Sequence, residues 1–311
     1  MYRLRMFPQP ACFHLFRVFP LLLMALLFFK GCDEEKIAPS QKEPDQGSWL
    51  LYSQIDWTHD GAPLSGEYCK VYSDQASTQL KLQCLEFADK MFKEILSGFG
   101  VKDAGELILP MENDWINVYI NVAHPENIAH AYWGTIFITV RTPELDTLFY
   151  EYLFKHELTH ELEFLVEGKV NLLSEVWFRE AIAIYSGGGF KRIKTVEDLD
   201  NWILENENFP GQGNPVLIKE WSDFPDGASI DRYYWYAFDL AMRYMLDPAG
   251  LDRTCQDVLD LFFELREGSS FEIAFLNQFG GIELKRFEDE FYDRVRAYLD
   301  ELKNSPVFGG R

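Results

Sequence analysis

Positive charge is scarce in this sequence: 29 Lys and Arg stand against 50 Asp and Glu, giving a formal net charge of −21. Phosphate binding needs clustered cations, so the balance excludes a nucleic-acid partner. A folded acidic surface accounts for the excess, with an acidic cleft selecting basic substrates as the sharper alternative. Cysteine is also sparse, five in all. None of Cys69, Cys84 and Cys255 stands at metal-ligand spacing from another Cys or from a His, which excludes a Cys-ligated zinc. Cys69 and Cys84 are spaced to close a short loop between a strand and the next helix, and buried free thiols are the alternative. Internal repeats and low-complexity tracts are lacking from the domain. Nearly half of the 311 residues are apolar, enough to bury a full core in one large domain or two subdomains sharing an interface.

The longest N-terminal apolar stretch, from Val18 to Phe29, is too short to span a bilayer comfortably and follows Arg3, Arg5 and Arg17. That is the build of a secretory signal. Phe29-Lys30-Gly31-Cys32 resembles a bacterial lipobox, although Phe29 and Lys30 depart from its pattern. The resemblance implies a signal peptide over residues 1–31 and a lipid on Cys32, with cleavage to a soluble secreted form as the alternative. The membrane would then be reached through that lipid, and the protein would be extracytoplasmic, on a periplasmic or cell-surface face. Residues 32–48 are charged and contain Pro, so they read as a flexible tether.

Strand-like runs are expected at Glu67–Tyr72, Trp115–Val122 and Gly134–Val140, with a helix from Ser73 to Leu96 ending at Gly98 between the first two. A long helix should start at Thr142, with Pro143 in its first turn, and end at Gly168. Helical patterns then follow at Ser174–Tyr185, Ile230–Met245, Leu251–Arg266, Phe271–Phe279 and Leu284–Leu302. The expected fold class is α+β: a small sheet subdomain over residues 49–168 carrying the long helix, then a mainly helical subdomain over 169–311.

Histidine is rare as well, six in the chain, yet two of them fall in His156-Glu157-Leu158-Thr159-His160 inside the long helix. Histidines four apart on a helix project from one face and reach the same ion. Glu157 stands beside that ion without binding it, placed to take a proton from a water molecule acidified by the metal. Phe149, Tyr152, Leu153 and Phe164 share the face of the two histidines, so it should be buried. A third ligand is needed, and Glu180 supplies one, because the positions three and four residues away are Val176, Trp177, Ala183 and Ile184. A carboxylate in an apolar stripe must be neutralised, paired or bound to a metal. Glu175 competes for the role, but an acid in the first turn of a helix is expected to complement the helix dipole. Glu163 and Val166 stand where a metzincin requires Gly and His, so that arrangement is excluded.

The H-E-x-x-H sequence, with Glu180 twenty residues after His160 in a W-F-x-E-x-x-A-x-Y setting, resembles the gluzincin metallopeptidases, over roughly Tyr68 to Leu302. Ala181 stands where close relatives of that group often have Gly. The resemblance implies one Zn2+ per chain held by His156, His160 and Glu180, Glu157 as catalytic general base, and a peptide or protein substrate. It also implies that Gly134–Val140 is an exposed edge strand pairing with an extended peptide. A Tyr of the helical part should stabilise the oxyanion, Tyr234 foremost among Tyr233, Tyr234 and Tyr236. Met111-Glu112-Asn113 precedes the strand at Trp115 instead of lying on the later edge strand and lacks the leading Gly of an aminopeptidase motif, so exopeptidase and endopeptidase stay open. Surface roles are expected for His59, His124 and His130. The competing readings are a catalytically inactive zinc-binding lipoprotein acting as a binding module, and a binding protein without metal. The first leaves Glu157 without purpose, and the second leaves the His pair and the buried acid unexplained.

Overall fold

The computed structural model describes residues 61–102, 116–122, 129–140, 147–168, 173–189, 193–207 and 231–304. Alternating apolar residues form a five-stranded mixed sheet from β1 (Leu64–Ser65), β2 (Cys69–Tyr72), β3 (Ile116–Asn121), β4 (Ala129–Tyr132) and β5 (Thr135–Thr139), in the order β1-β2-β3-β5-β4. β2, β3 and β5 run parallel, while β1 and β4 pair antiparallel at the two rims. Val71, Val118, Ile136 and Ile138 are buried. The intervening Tyr72, Tyr119 and Phe137 stack across the strands at 4.9 and 5.1 Å between ring centres.

Helix α1 (Thr78–Gly98) begins five residues later than Ser73, the expected start. Ser73 Oγ accepts from the amides of Gln75 and Ala76 and closes a turn, so Ser77 becomes the cap and accepts from Leu80. α1 packs on β1 and β2. Its Asp89 carboxylate accepts from the amides of Glu67, Tyr68 and Cys69 at 2.7 to 3.0 Å, pinning the start of β2.

The expectation that Gly134–Val140 forms an edge is overturned. β5 pairs with β3 on one side and β4 on the other, and the edge is β4, a strand not foreseen. A two-residue turn joins β4 to β5 with positive φ at both Trp133 (26°) and Gly134 (73°), the twist that suits a tight hairpin. The sheet and the helix carrying His156 and His160 meet here, because α2 (Thr147–Glu167) packs against β4, β5 and α1. α2 ends where expected: Gly168 takes φ 65° and its amide donates to Phe164 O. The expected start at Thr142 and Pro143 lies outside the described residues.

The helical part comprises α3 (Val176–Ser186), α4 (Val196–Glu207), α5 (Asp231–Leu246), α6 (Cys255–Arg266), α7 (Phe271–Gln278), α8 (Leu284–Asp289) and α9 (Phe291–Asn304). α4 was not foreseen, although Thr195 and Asp198 exchange side-chain and backbone hydrogen bonds at its start and Leu199 and Trp202 are buried on one face. One helix was expected from Leu284 to Leu302; the chain breaks it at Glu290, whose carboxylate takes both Arg286 and Arg294. No Gly or Pro marks that break. α3 packs between α2 and α5, and α2 also meets α6, so the core is continuous across residue 168. Cys69 and Cys84 are free and fully buried, contrary to the pairing suggested by their spacing. Packing places both thiols in the core, where burial raises their pKa and leaves them un-ionised.

Candidate metal centre

α2 and α3 carry the candidate ligands, and their packing brings His156, His160 and Glu180 together. One donor atom from each lies within 4.8 Å of the others, the one such group among the described residues. The two Nε2 atoms stand 3.3 Å apart. Glu180 Oε2 is 3.3 Å from His156 Nε2, and Oε1 is 3.6 Å from His160 Nε2. Ligands bound at about 2.05 Å and separated by a tetrahedral angle stand about 3.3 Å apart, so this donor set fits one zinc ion. His156 is buried, whereas 27% of the Glu180 side chain is exposed, which opens the centre to solvent on the α3 side.

α3 places Glu180 by burying its other faces. Trp177, Phe178, Ala181, Ile182, Ala183 and Ile184 are all fully inaccessible, and Val176 alone of the expected stripe is exposed, at 42%. Glu175, the competing ligand, caps this helix and accepts from the Trp177 indole at 2.6 Å. Burial disfavours ionisation of Glu180, but the charges of His160 and His156, with Arg179, outweigh it and bring the carboxyl down to about 2. An ionised carboxylate facing two imidazoles is the state that binds a divalent cation.

Glu157 is buried, at 6% exposure, and is not one of the three ligands. Burial raises its pKa against the lowering effect of His156 and His160. Raised basicity suits a group that accepts a proton near neutral pH. Two aromatic rings flank His156: Tyr152 at 5.7 Å from α2 and Trp235 at 6.2 Å from α5. Trp235 is thus the α5 ring against the centre. Tyr234 is buried and, after burial itself, opposes the ionisation of Tyr292 on α9. Tyr236 packs partly buried against the core, and the side chain of Tyr233 lies outside the described residues. Tyr152 stands beside the metal-candidate group, its ring 5.7 Å from that of His156. Its pKa is raised by burial and then by Glu180, Glu157 and Asp239, and Gly187 leaves room for its ring. It stands four residues before His156, a helical spacing that put it in reach of sequence reasoning.

His130 also departs from expectation. It is half-buried on edge strand β4, where burial and His160 lower its pKa to about 4 against an opposing effect of Glu180. His59, His124, Cys32 and Met111-Glu112-Asn113 lie outside the described residues.

Beneath the ligands lie three further carboxyls of α2, Glu161, Glu163 and Glu167, each at most 1% exposed. Ser174 Oγ stands within hydrogen-bond reach of both Glu163 and Glu167, and Glu167 accepts from the Leu173 amide at 2.9 Å. Glu163 Oε2 is 3.7 Å from His160 Nδ1. Burial raises Glu163 to about 8 against the lowering charge of Arg179, which donates to Ser174 O. Carboxylates behind a ligating imidazole fix its orientation and basicity. If the group holds a metal ion, Glu163→Ala is expected to weaken its binding by about 10- to 100-fold, read by competition with a chromogenic chelator. Unchanged affinity would leave Glu163 a packing group only.

No protein-family model, no curated protein and no solved structure matches this chain. No helix among the described residues is long and apolar enough to cross a membrane.

Proposed function

We propose that this protein is an exported zinc metallopeptidase of the gluzincin type, anchored through Cys32, that hydrolyses peptide bonds in a peptide or protein substrate. The observation carrying this reading is the convergence of His156, His160 and Glu180 on one point, with Glu157 buried beside them and left out of the ligand set. A structural zinc site needs no such acid and usually closes its fourth position with another His or Cys. When bound, zinc supplies Lewis acidity for the water nucleophile and the substrate carbonyl. Glu157 takes the proton released as the water oxygen bonds the carbonyl carbon, and passes it to the amine nitrogen as the C–N bond breaks. β4 is the terminal strand of the sheet among the described residues and so the rim nearest to hand for an extended substrate, while its neighbour β5 is paired on both sides.

The reading is tested by elemental analysis of the purified protein beside Glu180→Ala. One zinc per chain in the wild type, lost in the variant, supports it. No zinc in the wild type after incubation with excess metal overturns it. Bound zinc without hydrolysis of any member of a peptide library favours the inactive binding module instead.

A further inference from the structure

We infer that Glu161 is a positioning residue: it fastens the turn of the β4–β5 hairpin to the helix carrying His156 and His160 and so sets where strand β4 stands relative to the metal group. The inference rests on the peptidase reading above for its consequence, though not for its geometry.

Glu161 follows His160 directly and is fully buried. Its Oε2 accepts from the amide of Gly134 at 2.5 Å, and burial pushes the carboxyl up to about 8 against the opposing effect of backbone hydrogen bonds from Gly134, Thr135 and Tyr132. Gly134 is held from both sides, since its carbonyl accepts from the Asn117 amide at 2.8 Å. A second contact joins the same two elements, the Trp133 ring lying 6.2 Å from that of Phe164.

A carboxyl sealed among backbone groups is a costly way to hold a hairpin that an apolar side chain could simply cover. What an apolar side chain cannot do is fix direction. Hydrogen bonding selects one height and one angle of the turn above α2, and the turn needs fixing because Trp133 holds a left-handed conformation unusual for a bulky residue. Among the described strands β4 pairs only with β5, so the hairpin turn carries much of its register. The link is short: the carboxyl belongs to the residue next to a candidate metal ligand, and one turn separates it from the strand offered to substrate. A displacement of about 1 Å at such a link costs up to about 100-fold in reaction rate.

Two conservative variants of the full-length protein separate reach from the carboxyl group. Glu161→Asp keeps the carboxyl and is one methylene short of the turn; Glu161→Gln keeps the reach and replaces the carboxyl with an amide whose oxygen can still accept from Gly134. With the turn set by reach, Glu161→Asp raises KM about tenfold or more at little change in kcat, retains one zinc per chain, and speeds hydrogen exchange in the segment 129–139. Glu161→Gln recovers most of the wild-type KM and protection. The inference is overturned if Glu161→Asp leaves exchange in 129–139 at the wild-type rate, if zinc is lost in step with activity, or if Glu161→Gln is the more damaged of the two. Should the wild type cleave no peptide, the peptidase reading fails by itself, and the exchange comparison still decides whether Glu161 holds the hairpin.

Discussion

Glu157→Gln is expected to lower kcat by about 10²- to 10⁴-fold while the protein keeps one zinc per chain. Gln has the shape of Glu and fills the same buried space, so neither the helix nor the ligand cluster has reason to move. It cannot accept a proton, however, and the side chain has no ligating role to lose. Three outcomes separate the readings when zinc content and hydrolysis are measured together on this variant. Lost hydrolysis with retained zinc makes Glu157 the base. Zinc lost as well would make Glu157 part of the ligand set, and unchanged hydrolysis would put the activity elsewhere on the molecule.

The His pair and Glu157 were legible because a helix converts a spacing of four into one face, and the long helix was marked by its period and by Gly168. Glu180 was legible for a different reason, as an acid framed by apolar residues that had to have a partner. The edge strand was not legible. Ala129-His130-Ala131-Tyr132 has weak strand character, and the order β3-β5-β4 differs from the order along the chain. Without β4, Gly134–Val140 reads as the rim; with it, that run becomes interior. Glu161, Glu163 and Glu167 were hidden for a related reason, since alternating acids on a helix read as a solvated face. Their burial depends on the Gly134 amide, Ser174 and Arg179, which come from other elements. Which α5 tyrosine would serve the oxyanion was not legible, because the helical period of α5 fixes which residues share a face but not which face meets α2. Trp235 is the ring that meets His156.

Phe178→Ala is expected to destabilise the fold by about 3–5 kcal/mol, the usual cost of removing a fully packed Phe. Phe178 is inaccessible and lies 5.3 to 6.4 Å, ring to ring, from Phe262, Phe271, Phe275 and Phe279, so the space it leaves is lined by rings on α6, on α7 and at the end of α7. Those rings belong to different elements and cannot all move inward to fill it. At about 2–4 °C per kcal/mol for a domain of this size, the loss is large in a thermal melt. Ile273→Ala is the control: it lies on α7 beside the same rings but is 53% exposed, and a change within about 0.5 kcal/mol is expected. The consequence extends to the metal, because Phe178 sits two residues before Glu180 on α3, and this packing is what holds Glu180 over the two histidines. Zinc affinity should therefore fall in Phe178→Ala even below its melting range. Wild-type affinity in a destabilised Phe178→Ala would mean that α3 is positioned by its contacts with α2 and α5 alone.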